Sequence, residues 1–111
     1  MTVDEVLAAL ADPTRRRLLD LVADSGETTA TAMSGRLPVS RQALVQHLAV
    51  LEGVGLVTSR RVGRERRYAV RSDQLTATAR WMTDLAGQWD RRLAAIRSLA
   101  ESAERPGPDP P

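Results

Sequence analysis

Gln42 and Gln46 stand one helical turn apart, and at about 100° per residue they share a helix face with Ala49 and Gly53. A side-chain amide can bond N6 and N7 of an adenine together, so an outward pair at this spacing suits base edges. Val45 flanks that face, where it is suited to a thymine methyl, and Arg41 falls in the first turn. Ser40 stands ahead of them as a helix cap, and a capped helix start is a natural seat for a phosphate. Downstream, Arg60, Arg61, Arg64, Arg66 and Arg67 crowd around Gly63. Arg64 and Arg66, nearest the turn, suit a minor groove or a phosphate clamp, whereas Arg60, Arg61 and Arg67 could equally pair with acids or solvate a strand. The plain alternative is that Gln and Arg are simply what a solvated surface contains.

The charge distribution weighs against that alternative. All 16 basic residues are arginine, which coding bias alone would explain, but their placement is uneven. Residues 36–71 hold eight of them against only Glu52 and Glu65, whereas the rest of the chain is net acidic. A chain with a formal net charge of only +2 and a strongly basic middle third carries an electrostatic footprint for a polyanion.

Other chemistry is excluded by what is missing. With no cysteine, disulfides, thiolate metal sites and thiol redox sensing are all ruled out. The single His47 borders the buried side of its helix, as a structural or phosphate-adjacent histidine would. As a metal ligand it has no His or Cys partner, and as a base it is about 10.5 Å along the helix from Ser40. Gly63 has no glycine-rich run or lysine beside it, so no phosphate-cradling loop of the nucleotide-binding kind is present. No enzyme, metal or cofactor is expected. No apolar stretch reaches the roughly 20 residues that span a bilayer, and no signal peptide opens the chain. A soluble, cytoplasmic protein without a membrane partner is expected.

These residues need elements to hold them. At 111 residues the chain fits one small domain. Thr2 and Glu5 form a capping pattern for a first helix through Val3, Val6, Leu7 and Leu10. Asp12-Pro13 starts a second, to about Ala23, burying Leu18, Leu19 and Val22. Thr28 or Thr29 caps a third that carries Ala32, Met33 and Leu37 before Pro38 interrupts it. Ser40 caps a fourth, 41–54, with Leu44, Leu48 and Leu51 buried and Gly55 as its stop. The period then becomes strand-like: 56–61 and 66–70 flank 62–65 as a hairpin, giving a wing over 58–68. Tyr68 is placed to pack this hairpin on the helices. Ser72 or Asp73 caps a last helix to about Glu104, and the proline-rich residues 105–111 read as a disordered tail. The expected fold is mainly α with a small β-hairpin wing, a winged helix-turn-helix occupying residues 1–104. In that layout the second helix of the pair enters the major groove.

The last helix repeats Met82, Trp89 and Ile96 at sevenfold spacing, with Leu93 beside them and Leu85 widening the stripe. So long an apolar face needs cover, and the first helix, through Val3 and Leu7, is available. Together they form a candidate two-fold interface with a second subunit; packing on the winged domain alone is the alternative. Trp81 and Trp89 read as interface core in preference to ligand-pocket walls.

The run from Ser40 through His47-Leu48, Leu51 and Gly55-Leu56-Val57, then Gly63-Arg64 and Tyr68, resembles the recognition helix and wing of ArsR-type repressors. The segment Leu10-Ala11-Asp12-Pro13-Thr14-Arg15-Arg16 resembles the same family. The resemblance implies a homodimeric transcriptional repressor on a palindromic operator of double-stranded DNA, with Ser40, Arg41, Gln42, Val45, Gln46, His47, Arg64 and Arg66 at the DNA. The family usually has Ser where this chain has Val45 and often Lys where it has Ala49, so an operator sequence does not carry over. Metal-sensing relatives use Cys in the recognition helix or His with carboxylates on the last helix. Neither is here, and the Trp-containing helix resembles a non-metal branch. A small-molecule effector stays open. The competing class is a winged-helix interaction module whose long last helix binds a partner protein.

Overall fold

A computed structural model describes residues 2–104; the expected tail at 105–111 lies outside the described residues. The element order is α1 (Val3–Leu10), α2 (Pro13–Ser25), β1 (Thr28–Thr29), α3 (Ala30–Met33), α4 (Arg41–Gly53), β2 (Val57–Val62), β3 (Glu65–Val70) and α5 (Asp73–Glu104). The chain divides into two compact units, one running to Ala79 and the other from Arg80 onward.

The first unit is a helical cluster with a small sheet. Thr2 accepts a hydrogen bond from the Glu5 N–H at 3.2 Å and starts α1. Asp12 accepts from the N–H groups of Thr14 and Arg15, at 2.8 and 3.3 Å, with Pro13 in the first turn of α2. The arginines that follow fold back on α1. Arg15 donates to the carbonyls of Ala9 and Ala8, and Arg16 to that of Leu10, adding side-chain donors to acceptors at the end of α1, where Ala8 also accepts from the Ala11 N–H.

Val6 and Ala9 of α1, Leu18, Leu19 and Val22 of α2, Met33 of α3 and Leu44, Leu48 and Leu51 of α4 form one core with Leu37, Leu56, Val57 and Tyr68. Fully burying one such side chain stabilises the fold by about 1.5–3 kcal/mol, so the leucines of α4 fix which of its faces looks outward. Val6 is committed to this core, while Val3 and Leu7 are half-buried.

Three details differ from the sequence expectation. Helix α3 is one turn long, because Ser34 has an extended backbone (φ −60°, ψ 132°); Leu37 reaches the core from the following turn instead of from the helix. The wing is a three-stranded antiparallel sheet, ordered β1-β3-β2, in which Thr28 pairs with Tyr68 and Thr29 with Arg67. The hairpin itself is tighter than expected: Val62 pairs with Glu65, leaving only Gly63 and Arg64 as its loop.

The junction from α4 to β2 is a Schellman turn. The Gly55 N–H donates to the Glu52 carbonyl at 3.0 Å and the Leu56 N–H to the Leu51 carbonyl at 2.9 Å. Gly55 has φ +80°, the left-handed region that favours glycine, and a Cβ there would meet the Gln74 Cγ at 3.1 Å. This turn sets the angle at which the wing leaves α4.

Among its described residues, the second unit consists of α5 from Arg80 onward. Its apolar residues are open to solvent in the single chain: Trp89 is 52% exposed, Leu93 57%, Ile96 62% and Leu99 72%. Met82 and Leu85 are also exposed, and Arg92 lies over the Trp89 ring at 5.3 Å from its centroid. Among the described residues no helix is long and apolar enough to cross a membrane.

Candidate nucleic-acid interface

Ser40 has an extended backbone and accepts from the Ala43 N–H at 3.1 Å, so α4 begins with a satisfied cap and its first turn outward. With Leu44, Leu48 and Leu51 buried, the helical period leaves Arg41, Gln42, Val45, Gln46 and Ala49 on the exposed side. Val45 is 42% exposed, a large uncovered surface for a valine. His47 is half-buried on the flank, near enough to Asp12 for its charge to be felt there. Partial burial pushes the Asp12 carboxyl up, but the N–H groups of Thr14 and Arg15 and the charges of Arg15 and His47 hold it below the ordinary aspartate value.

The wing divides its arginines by strand alternation. Arg60 and Arg67 are paired across β2 and β3, so they share one face. There Arg60 grips Glu27 with two hydrogen bonds, at 2.8 and 3.2 Å, and Arg67 lies 3.6 Å from Glu27 and 3.5 Å from Glu65. The hydrogen bond from Arg60 is the main reason the Glu27 carboxyl sits below its ordinary value. Arg61 and Arg66 are paired on the opposite face, which also carries Val57 and Tyr68. Burial raises the Tyr68 phenol above its ordinary value, with the Glu52 charge adding to the shift and Arg66 opposing it.

Arg41 and Val45 of α4, Arg64 and Arg66 of the wing, and Thr29 and Thr31 line one open concavity of about 260 Å³. Tyr68, Ala30 and Glu65 complete it. Four of the eight sequence-derived candidates thus meet at one place. Gln42 and Gln46 lie on the adjoining exposed face of α4, Ser40 caps it, and His47 lies outside the concavity. Arg41, Arg64 and Arg66 bring three guanidinium groups to a surface with a single carboxylate, Glu65. Sequence reasoning missed Thr29 and Thr31, because the approach of β1 to the wing depends on a pairing that two residues do not announce. Among the described residues, no group of three or more His, Asp and Glu is placed to hold a metal ion.

A short helix, a turn, an exposed and capped second helix, and a basic hairpin beside it define a winged helix-turn-helix DNA-binding protein. Residues 10–60 match the family model described as a helix-turn-helix domain. The chain is 37% identical over 99 residues to the HTH-type transcriptional regulator Rv2034 of Mycobacterium tuberculosis, covering 89% of each. It is also similar to a solved ArsR-like transcriptional regulator from Rhodococcus sp. RHA1, at 44% identity and a TM-score of 0.79, with 88% of this chain and 92% of that one covered. A solved homodimeric winged helix-turn-helix domain, Mb0332 from Mycobacterium bovis, matches at 28% identity and a TM-score of 0.61, covering 76% and 78%. The chain belongs to the ArsR-type winged helix-turn-helix transcriptional regulators. It is a DNA-binding regulator and not an enzyme.

Proposed function

We propose that two copies of this chain bind a palindromic operator of double-stranded DNA in the cytoplasm and repress transcription from it. Residues 41–54 lie in the major groove, where Arg41, Gln42, Val45 and Gln46 meet base edges and His47 sits close to the backbone. The wing over 58–68 follows the adjacent backbone, with Ser40, Arg64 and Arg66 on phosphates. The observation that carries this reading is the concavity in which Arg41 and Val45 of α4 meet Arg64 and Arg66 of the wing beside the open Gln42–Gln46 face. A helix and a hairpin that present guanidinium groups to one hollow match a curved polyanion better than a protein partner.

Dimer formation is supported by the α5 stripe. Met82, Leu85, Trp89, Leu93 and Ile96 are exposed in one chain, and covering them is worth far more than leaving them in water. Val3 and Leu7 extend the interface from α1, and the solved homodimeric relative agrees with a two-fold assembly. Absence of cysteine removes the thiolate ligands of soft-metal and arsenite sensing, so this regulator responds to something other than a thiolate-bound metal, or to its own concentration alone.

The experiment selects bound fragments from a random duplex pool and titrates the enriched duplex by fluorescence anisotropy at two salt concentrations. An inverted repeat bound by two chains, with log K falling steeply against log salt, is expected. Weak, unselective and salt-insensitive binding would instead favour a protein-interaction module acting through α5.

A further inference from the structure

Within the winged unit, one short polar chain joins the recognition helix to the wing. Ser59 donates its hydroxyl proton to Glu52 Oε1 at 2.5 Å, and the Ser59 Oγ itself accepts from Arg66 Nη1 at 2.9 Å. Glu52 belongs to the last turn of α4, Ser59 to β2 and Arg66 to β3, so three elements meet on one hydroxyl. A serine hydroxyl offers one proton and accepting lone pairs, and here both capacities are used. Strand register puts Ser59 and Arg66 on the face that also holds Tyr68. Arg66 has five N–H donors, and Nη1 is its only nitrogen with a protein partner among the described residues. Its side chain lines the concavity with Arg41 and Arg64.

We propose that Ser59 is a positioning residue for DNA binding: with Glu52 behind it, it holds the Arg66 guanidinium at the concavity so that its remaining donors face a backbone phosphate. The proposal rests on the DNA reading above and adds to it a residue that never touches DNA. Arginine side chains lose much rotamer freedom on binding, and a side chain fixed beforehand loses less. The hydroxyl also keeps opposite charges from closing directly on each other. Without it, Arg66 either swings free or collapses onto Glu52, and in both cases the phosphate loses a preset donor.

The test measures Ser59→Ala, Ser59→Thr, Arg66→Ala and the Ser59→Ala/Arg66→Ala pair against the enriched duplex, with thermal melting as the check on folding. Arg66→Ala is expected to weaken binding roughly tenfold and to lower the salt slope by about one phosphate. Ser59→Ala is expected to weaken it roughly threefold to tenfold, Ser59→Thr to restore it, and the double variant to bind like Arg66→Ala alone. In the DNA-free protein, the Arg66 Nε–H resonance should lose order in Ser59→Ala and keep it in Ser59→Thr. Losses that simply multiply in the double variant overturn the positioning role while leaving the DNA reading intact. An Arg66 resonance that loses order as expected, with no effect of Arg66→Ala on DNA, overturns the wing's part in the DNA reading and the proposal with it.

Discussion

The two faces of the wing carry the same residue type and have different electrostatic fates. On one face Arg60 and Arg67 are engaged by Glu27, a residue far away in sequence that ends next to β1. On the other, Arg66 is held by the Ser59 hydroxyl, which itself donates to Glu52, and among the described residues Arg64 at the turn and Arg41 of α4 form no ion pair with a carboxylate. An arginine already paired with a carboxylate must give up that pair to meet a phosphate, and the exchange gains little. An arginine held by a hydroxyl has no direct ion pair to give up. On the DNA reading proposed above, the count of arginines in the hairpin overstates the charge offered to DNA, because the pairing sets which of them are available.

The largest expected effect compares the two faces directly. Arg64→Ala/Arg66→Ala should weaken binding to the enriched duplex by about 3 kcal/mol and lower the salt slope by roughly two phosphates. Arg60→Ala should leave that slope unchanged within error. Anisotropy titrations between 50 and 200 mM salt, on the order of the range in which phosphate contacts dominate, check both. Equal slope changes for the two faces would erase the distinction.

Next comes the junction that aims both faces. Gly55→Ala places a Cβ in left-handed backbone and against Gln74, which should cost about 2 kcal/mol of stability. Chemical denaturation measures the loss. The same variant should weaken DNA binding beyond what its stability loss explains at temperatures where it is fully folded, because the wing leaves α4 at an altered angle. Unchanged binding by folded protein would mean that the sheet pairing with β1, and not the Schellman turn, sets the wing.

How much of this was legible in advance follows from which interactions are local. The leucine spacing of α4, its Ser40 cap and its Gly55 stop are short-range signals, and each appears in the structure at the expected residue. The period-2 pattern located β2 and β3. By contrast, β1 has only two residues, too few for any period, and Thr29 serves as both its end and the cap of α3, accepting from the Ala32 N–H at 3.1 Å. Extending the helical spacing to Leu37 failed because Leu37 is buried from a turn, where hydrophobic pattern carries no directional meaning. The candidate interface residues were named one by one from the sequence. Their grouping was not legible: Arg41 joins Arg64 and Arg66 through tertiary packing, and Glu27 pairs with Arg60, 33 positions away, and with Arg67.

A smaller effect tests the neutralised face from the side of stability. Removing one partner of an exposed, solvent-screened ion pair changes stability little, and Arg60→Ala is expected to lower the melting temperature only slightly. In the same comparison Arg61→Ala, for which no carboxylate partner stands within reach among the described residues, should be neutral. A larger loss for Arg61→Ala in thermal melts would show that the face assignment misses a stabilising contact.

The smallest expected effect is a pH dependence. Glu27 is held below its ordinary value of 4.5, first by the hydrogen bond from Arg60, against some loss of hydration, and then by the charges of Arg60 and Arg67 and the hydrogen bond from Arg67. Because the folded state holds this carboxylate deprotonated where the unfolded chain would bind a proton, the unfolded state binds more protons between the two values. The stabilisation is therefore complete above 4.5 and is lost as the pH falls through the lower, folded-state value. Asp12 titrates in the same direction, so the wild-type curve alone would mix the two. Glu27→Gln isolates one of them. Its denaturation midpoint should lie below the wild-type midpoint at neutral pH, and the gap should close as the pH is lowered past the folded-state value. A gap that stays constant from neutral to strongly acidic pH would mean that Glu27 contributes through packing or neutral hydrogen bonding. Arg60 and Arg67 would then be less firmly held, and the contrast between the two faces of the wing would weaken accordingly.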